Sequence, residues 1–262
     1  MSLTADSIEV LEEKVQQGDA EAMFTLGVRC IEGIGMTPDY PRGVSLLQGT
    51  VDLGDTAAMN DLGVIYEEGV FAPQDLEKAV ALYCQAADLG NPVAQNNLGV
   101  LYRDGKGVVQ DDAKALEWFR VSAGQGFVLA QSNLGLMFWQ GRHVWQDYGQ
   151  ARSWWERAAA QGDSDAMFYL GRMYAEGKGV RQDFTQAVQW WQQAAEQDAV
   201  PAQLSLGLVY EEGRSGVPQD LAESRRWYRR AASRCDVSGQ QGLERVEAAL
   251  DQQPSSSRSS AA

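Results

Sequence analysis

The sequence predicts an all-α solenoid of stacked antiparallel helix pairs, on three observations. The pair Leu-Gly recurs at Leu26-Gly27, Leu62-Gly63, Leu98-Gly99, Leu134-Gly135, Leu170-Gly171 and Leu206-Gly207, always 36 residues apart. A further glycine follows six residues after each of these, at Gly33, Gly69, Gly105, Gly141, Gly177 and Gly213. Asp39, Asp75, Asp111, Asp147 and Asp183 keep the same step, and Asp220 falls one late because Arg214-Ser215-Gly216 holds one extra residue. A fixed period of this length marks units that cannot bury an apolar face alone and must stack on a neighbour.

Taken in order, the chain divides into a cap, six repeats, a second cap and a tail. Residues 1–17 read as an N-terminal capping helix, Thr4 to Gln17, with Val10, Leu11 and Val15 in core phase. The repeats occupy 18–53, 54–89, 90–125, 126–161, 162–197 and 198–234. In the third, apolar spacing at Ala94, Leu98, Leu101 and Tyr102 predicts a first helix over Pro92 to Asp104. Gly105-Lys106-Gly107-Val108 breaks it, since glycine reaches left-handed angles without steric cost. Asp111 is the expected N-cap of a second helix running to Gly124, with Ala115, Trp118, Phe119 and Ala123 facing neighbours. Gly18-Asp19, Gly54-Asp55, Gly90-Asn91 and Gly162-Asp163 combine a stop signal with a start signal. The glycine of each Leu-Gly pair falls inside a helix, where it costs about 1 kcal/mol against alanine, so a partner helix is expected to pass too close for a Cβ. The first repeat, with Gly43, Leu46, Leu47, Thr50 and Val51 at consensus positions and Pro41 and Gly49 in its second helix, is expected to be the loosest. Residues 235–251 read as a C-terminal capping helix, Ser238 to Leu250, with Leu243 in place of the repeat leucine. The Ser-rich stretch 252–262 is expected to be disordered.

The unit A-x3-L-G-x2-Y-x2-G, then G-V, then D-x3-A-x2-W-[FWY]-x2-A-A, resembles the Sel-one-like repeat, a longer relative of the tetratricopeptide repeat. Repeat three shows it at Ala94, Leu98, Gly99, Tyr102, Gly105, Gly107, Val108, Asp111, Ala115, Trp118, Phe119 and Ala123, and repeat five shows it from Ala166 to Ala195. The resemblance implies a right-handed superhelix and an adaptor or scaffold role, often in bacterial signalling or assembly. Some secreted relatives carry paired cysteines and are linked to β-lactam or peptidoglycan binding. Cys30, Cys84 and Cys235 form no such pairs, so that branch transfers poorly.

Composition narrows the function classes. The 262 residues carry 22 basic and 36 acidic side chains, a net charge of −14, which opposes nucleic-acid or anionic-lipid binding over most of the surface. No apolar run approaches the roughly 20 residues of a membrane helix. Neither a secretory signal nor a disulfide framework is read, and a cytoplasmic location is expected. The charge is uneven: residues 1–126 hold 20 acids and 8 bases, and the remainder 16 and 14. The acids Glu67, Glu68, Asp104, Glu176, Glu211 and Glu212 gather at the ends of first helices, where the macrodipole disfavours them. Their recurrence suggests pairing with Lys106, Lys178 or Arg214, or attraction of a basic partner.

Catalytic chemistry finds no support, and neither a metal nor a cofactor is expected. Gly105-Lys106-Gly107 and Gly177-Lys178-Gly179 lack the Ser or Thr of a phosphate loop and recur at the inter-helix turn. His143, the single histidine, replaces a turn glycine and has no zinc or triad partner at known spacing. No lysine has a serine three residues before it, which excludes the S-x-x-K nucleophile. The pairs Trp154-Trp155 and Trp190-Trp191 are expected in the core, as are Cys30 and Cys84.

The resemblance places a partner groove along the first helices, at positions two before and one and four after each repeat leucine. Asn60, Asn96 and Ser132, followed by Phe168, occupy the row two before. The asparagine amides could bond the backbone of an extended peptide, or the polar row could be ordinary solvated residues. Further along the face, Arg103, Trp139, Arg172, Val64, Val100 and Leu136 are expected to add charge and apolar contact. The function expected is a non-enzymatic adaptor holding a peptide or partner helix, of basic character, in a groove centred on repeats two to five. The alternatives are a passive scaffold working through the convex Arg225, Arg226, Arg229 and Arg230, or an envelope-glycan binder. Self-association stays open.

Overall fold

A computed structural model of the protein describes residues 6–252. Thr4, expected to begin the first helix, and the serine-rich residues 253–262, expected to be disordered, lie outside the described residues. Among the described residues the regular structure is fourteen α-helices, with one isolated antiparallel bridge between Arg214 and Val217. The protein is an all-α solenoid, and its described residues divide into two compact units, 6–130 and 131–252.

In the first unit a lone α1 (Ile8–Gln16) precedes three helix pairs. These are α2 (Ala20–Glu32) with α3 (Tyr40–Asp52), α4 (Thr56–Glu68) with α5 (Leu76–Asp88), and α6 (Pro92–Asp104) with α7 (Asp112–Gly124). Helix α8 (Val128–Gln140) runs through the unit boundary. The second unit continues with α9 (Tyr148–Ala160), then α10 (Ser164–Glu176) with α11 (Phe184–Glu196), α12 (Val200–Glu212) with α13 (Leu221–Ala232), and a closing α14 (Val237–Asp251).

Side-chain caps set the helix starts. Asp19, Asp55, Asn91 and Asp163 accept from backbone N–H groups at the starts of α2, α4, α6 and α10. Asp39, Asp75, Asp111, Asp147, Asp183 and Asp220 do the same for every second helix. Each such cap contributes about 1 kcal/mol. First helices end on glycine: Gly69, Gly105 and Gly177 take φ of 70°, 70° and 67°, a region that side-chain-bearing residues rarely adopt.

A glutamine that the consensus did not single out completes this turn. Gln74, Gln110, Gln146 and Gln182 donate their amide N–H to the carbonyls of Glu67, Arg103, Trp139 and Ala175 at 2.8–3.0 Å. Carbonyls at a helix end lack intrahelical partners, so this bond closes the last turn. The glutamine Cβ lies where a glycine Cβ would stand, 2.7 Å away at Gly69. The one-residue insertion is absorbed here. Arg214 and Val217 exchange backbone bonds of 2.7 and 2.8 Å, and Gln219 still reaches the Glu211 carbonyl at 2.8 Å.

Packing centres on the Leu-Gly pairs. Leu26, Leu62, Leu98, Leu134, Leu170 and Leu206 are fully buried. Beside the last five, the glycine admits an aromatic ring from the second helix of its own repeat. An added Cβ would stand 2.7 Å from Tyr83 at Gly63, 2.7 Å from Phe119 at Gly99 and 2.6 Å from Tyr228 at Gly207. Trp155 and Trp191 fill the same role at Gly135 and Gly171, and their indole N–H groups bond the carbonyls of Ser132 and Phe168 at 3.2 Å. The first repeat solves the contact differently. Gly27 faces the Gly43 carbonyl at 3.2 Å, so two glycines meet where a glycine and a ring meet elsewhere. At the chain's end, Val246 is fully buried in α14 while Leu243 is half-buried, and Gly242 lies against Tyr228.

Gly99→Ala is therefore expected to lower the unfolding free energy by about 1–3 kcal/mol despite its better helix propensity. Gly124→Ala, with open space around its Cβ, is expected to raise it by about 0.4–1 kcal/mol. Urea denaturation of both variants checks the contrast, and equal effects would contradict it.

Candidate functional site

The Leu-Gly glycine also fixes the direction in which each first helix presents its outer residues. At about 100° per residue, the residue just before the repeat leucine and the one two after it point roughly 160° and 100° from the glycine. Since the glycine faces the second helix, these positions face away from it. In the first unit they are Thr25, Asp61 and Asn97, beside Val28, Val64 and Val100, all partly exposed. In the second unit the same positions hold Asn133, Tyr169 and Ser205 beside Leu136, Arg172 and Leu208.

The expected lining residues divide accordingly. Val64, Val100, Leu136 and Arg172 stand on this face. Asn60 and Asn96 do not: they are only 8% and 4% exposed. Two residues before the leucine is roughly 60° from the glycine, which turns the side chain into the packing rather than toward a groove. Asn60 accepts from the Asn97 amide at 3.0 Å and donates to the Asp61 carboxylate at 3.2 Å, and Asn96 donates to Asn97 at 3.4 Å. Both amides thus orient the row beside them. Ser132 and Phe168, in the same row, lend their carbonyls to the tryptophans of the second helices.

Trp139 is a core residue as well, 7% exposed, packed on Tyr148 and Trp155 with the Arg172 and Lys178 cations over its ring. Arg103 is half-buried and held by Asp104 at 2.7 Å. Positions four after the leucine face the second helix: Lys78 lies over Tyr66 and Lys114 over Tyr102. Those one after it are the packing glycines themselves.

The acids at the ends of first helices are largely paired within the chain. Lys106 reaches Glu67 at 3.7 Å, Lys178 reaches Glu176 at 2.6 Å, and Arg214 pairs with Glu212. Tyr83 and Tyr228 donate to Glu67 and Glu211 at 3.0 and 2.8 Å. The hydrogen-bonded Arg245 guanidinium holds the Glu211 carboxyl below its usual range. His143 is an exposed turn residue at φ 58°, in a glycine's place. All three cysteines are free, with Cys30 buried, Cys84 half-buried and Cys235 exposed.

Asp61 stands apart from these pairs. Burial pushes its carboxyl above the ordinary value of 3.8, Asp55 and Glu32 add to the rise, and the Asn60 hydrogen bond opposes it. A carboxyl whose folded pKa is raised destabilises the folded state at neutral pH; that penalty begins to shrink as pH falls through the folded pKa and is gone below the unfolded one. Asp61→Asn, which keeps an acceptor for Asn60, is expected to melt above wild type at pH 7. The gap should close as pH falls toward the ordinary carboxylate range, and thermal melts across pH 4–8 check this.

Comparison with known proteins places the chain among repeat proteins. Curated protein sequences return no significant match. Among solved structures, a Sel1 repeat protein from Oxalobacter formigenes superposes with a TM-score of 0.77 at 29% identity, over 82% of this chain and 87% of the other. The immunity proteins Pa5087 and PA5088 from Pseudomonas aeruginosa share the fold, with TM-scores of 0.54 and 0.53 at 21% and 24% identity. The first match covers 82% of this chain and 81% of the other, and the second 74% and 73%. The Sel1 repeat profile matches residues 20–55, 56–91, 92–127, 128–163, 164–198 and 200–234. The chain belongs to the Sel1 repeat family.

Proposed function

We propose that this protein is a non-enzymatic adaptor that holds an extended or helical segment of a partner protein on the first-helix face of its N-terminal unit. Sel1 repeat proteins commonly serve as protein-interaction scaffolds and are generally non-catalytic. The observation that carries the reading is the pair of parallel rows on α2, α4 and α6, with Val28, Val64 and Val100 beside Thr25, Asp61 and Asn97. Partly exposed valines at one repeat spacing offer apolar contact, and the polar row alongside offers bonds to a peptide backbone. The buried Asn60 and Asn96 brace that polar row, a positioning role in place of direct contact. The proposed setting is a bacterial cytoplasm, supported by the free thiols and by relatives from bacteria. No helix among the described residues is long and apolar enough to cross a membrane.

The arginine-rich α13 has less support as the main binding surface. Arg229 pairs with Glu247, Arg230 and Arg234 with Asp198, and Arg226 with Glu223, so its charge is largely answered within the chain.

Affinity capture from the native cell, run in parallel with wild type, Val64→Glu/Val100→Glu and Arg225→Ala/Arg226→Ala, separates the two surfaces. The proposal expects the partner to be lost with the first double variant and kept with the second; the reverse pattern would overturn it. The net charge of −12 over residues 1–126 adds a kinetic expectation. Association with the captured partner should slow as salt rises from about 0.05 to about 0.3 M, because screening weakens steering over distances beyond roughly 10 Å.

A further inference from the structure

A cavity of 280 Å³ opens between α2 and α4, on the face just described. Val28 and Ile31 of α2 and Val64 and Ile65 of α4 wall it, and Glu32 and Asp61 bring a carboxylate from each helix. Apolar walls of this kind match a chain of methylenes, and the two carboxylates in the lining match a cation at its end. A lysine or arginine side chain combines the two.

The charge environment singles out this pair of repeats. Among the described residues, neither Asp61 nor Glu32 forms an ion pair. Glu32 lies six residues after its repeat leucine, and its equivalents Asp104, Glu176 and Glu212 are met by Arg103, Arg172 and Arg214 of the same chain. In repeats one and two none of those three positions is basic: they hold Ile31, Val28 and Ile34 in the first and Glu67, Val64 and Val70 in the second. Asp61 has its Asn60 hydrogen bond but no cation, although it is desolvated and repelled by Glu32 and Asp55. A partly buried carboxylate in that position gains more from an incoming cation than a solvated one does.

We propose that the cavity between α2 and α4 is an anchor pocket for one lysine or arginine side chain of the bound segment, its stem on the valines and its charged end between Asp61 and Glu32. This rests on the reading of the first-helix face as a peptide-binding surface and names the chemistry recognised there. The pocket takes a cation with an aliphatic stem, and so selects for a basic residue flanked by extended backbone that lies along the adjoining Asn97 and Val100.

The test uses the full chain and a displayed library of random twelve-residue peptides, followed by synthetic copies of the enriched sequences in fluorescence anisotropy. Enriched peptides are expected to carry a lysine or arginine. Exchange of that residue for norleucine or citrulline is expected to weaken binding about ten-fold, as is Asp61→Asn, with Glu32→Gln weakening it a few-fold. Circular dichroism and thermal melts confirm that each variant is folded. Val100→Glu separates the two levels of the proposal. Peptides that Val100→Glu releases but Asp61→Asn and citrulline or norleucine exchange leave within two-fold would overturn the anchor pocket and keep the peptide-binding face. A selection that yields no peptide sensitive to Val100→Glu would overturn both.

Discussion

The missing side chain at each Leu-Gly glycine is the constraint on which the rest of the structure depends. Without a Cβ there, the ring of Tyr83, Phe119, Trp155, Trp191 or Tyr228 settles directly on the backbone of the first helix. A glycine inside a helix costs about 1 kcal/mol in propensity, and the burial of a whole aromatic side chain offsets it several-fold. The contact does more than stabilise one hairpin. It sets the rotation of the first helix about its own axis, and with it the residues turned away from the second helix. The candidate binding face is thus a geometric consequence of the packing, repeated with each unit.

The ends of the first helices are held by a second recurring device, complete in repeats two to six. A glycine in left-handed conformation stops the first helix, a glutamine amide closes its last turn, and the aspartate that follows begins the next helix. The inserted residue near Arg214 shows how far the device tolerates variation: a small bridged turn takes up the extra length while Gln219 and Asp220 keep their partners. Stability in such an array is divided among neighbouring units, so a well-closed hairpin benefits the repeats on either side.

Much of this was legible in the residues because period-36 spacing is insensitive to detail. Pro92–Asp104 as a helix, Asp111 as its partner's cap and the close approach at Leu-Gly all follow from backbone chemistry that glycine and aspartate announce. The expected lining row at Asn60 and Asn96 lies one residue from the exposed row, and the structure buries both amides in the packing. The corrective signal lay in the sequence: the glycine's own direction places Asp61 and Asn97 opposite the second helix. The glutamines were visible too, each immediately before a capping aspartate, but their role depends on a carbonyl whose position only the folded turn reveals. The strain on Asp61 could not be read at all, since it arises from burial, from nearby acids of two helices and from a cation that the chain does not place there.

Amide hydrogen exchange of the protein with its captured partner tests the central claim most directly, since it reads which face is covered without altering any residue. Added protection is predicted on α2, α4 and α6, centred on residues 25–28, 61–64 and 97–100. Protection concentrated on α3, α5 and α7, with the first helices unchanged, would contradict the account.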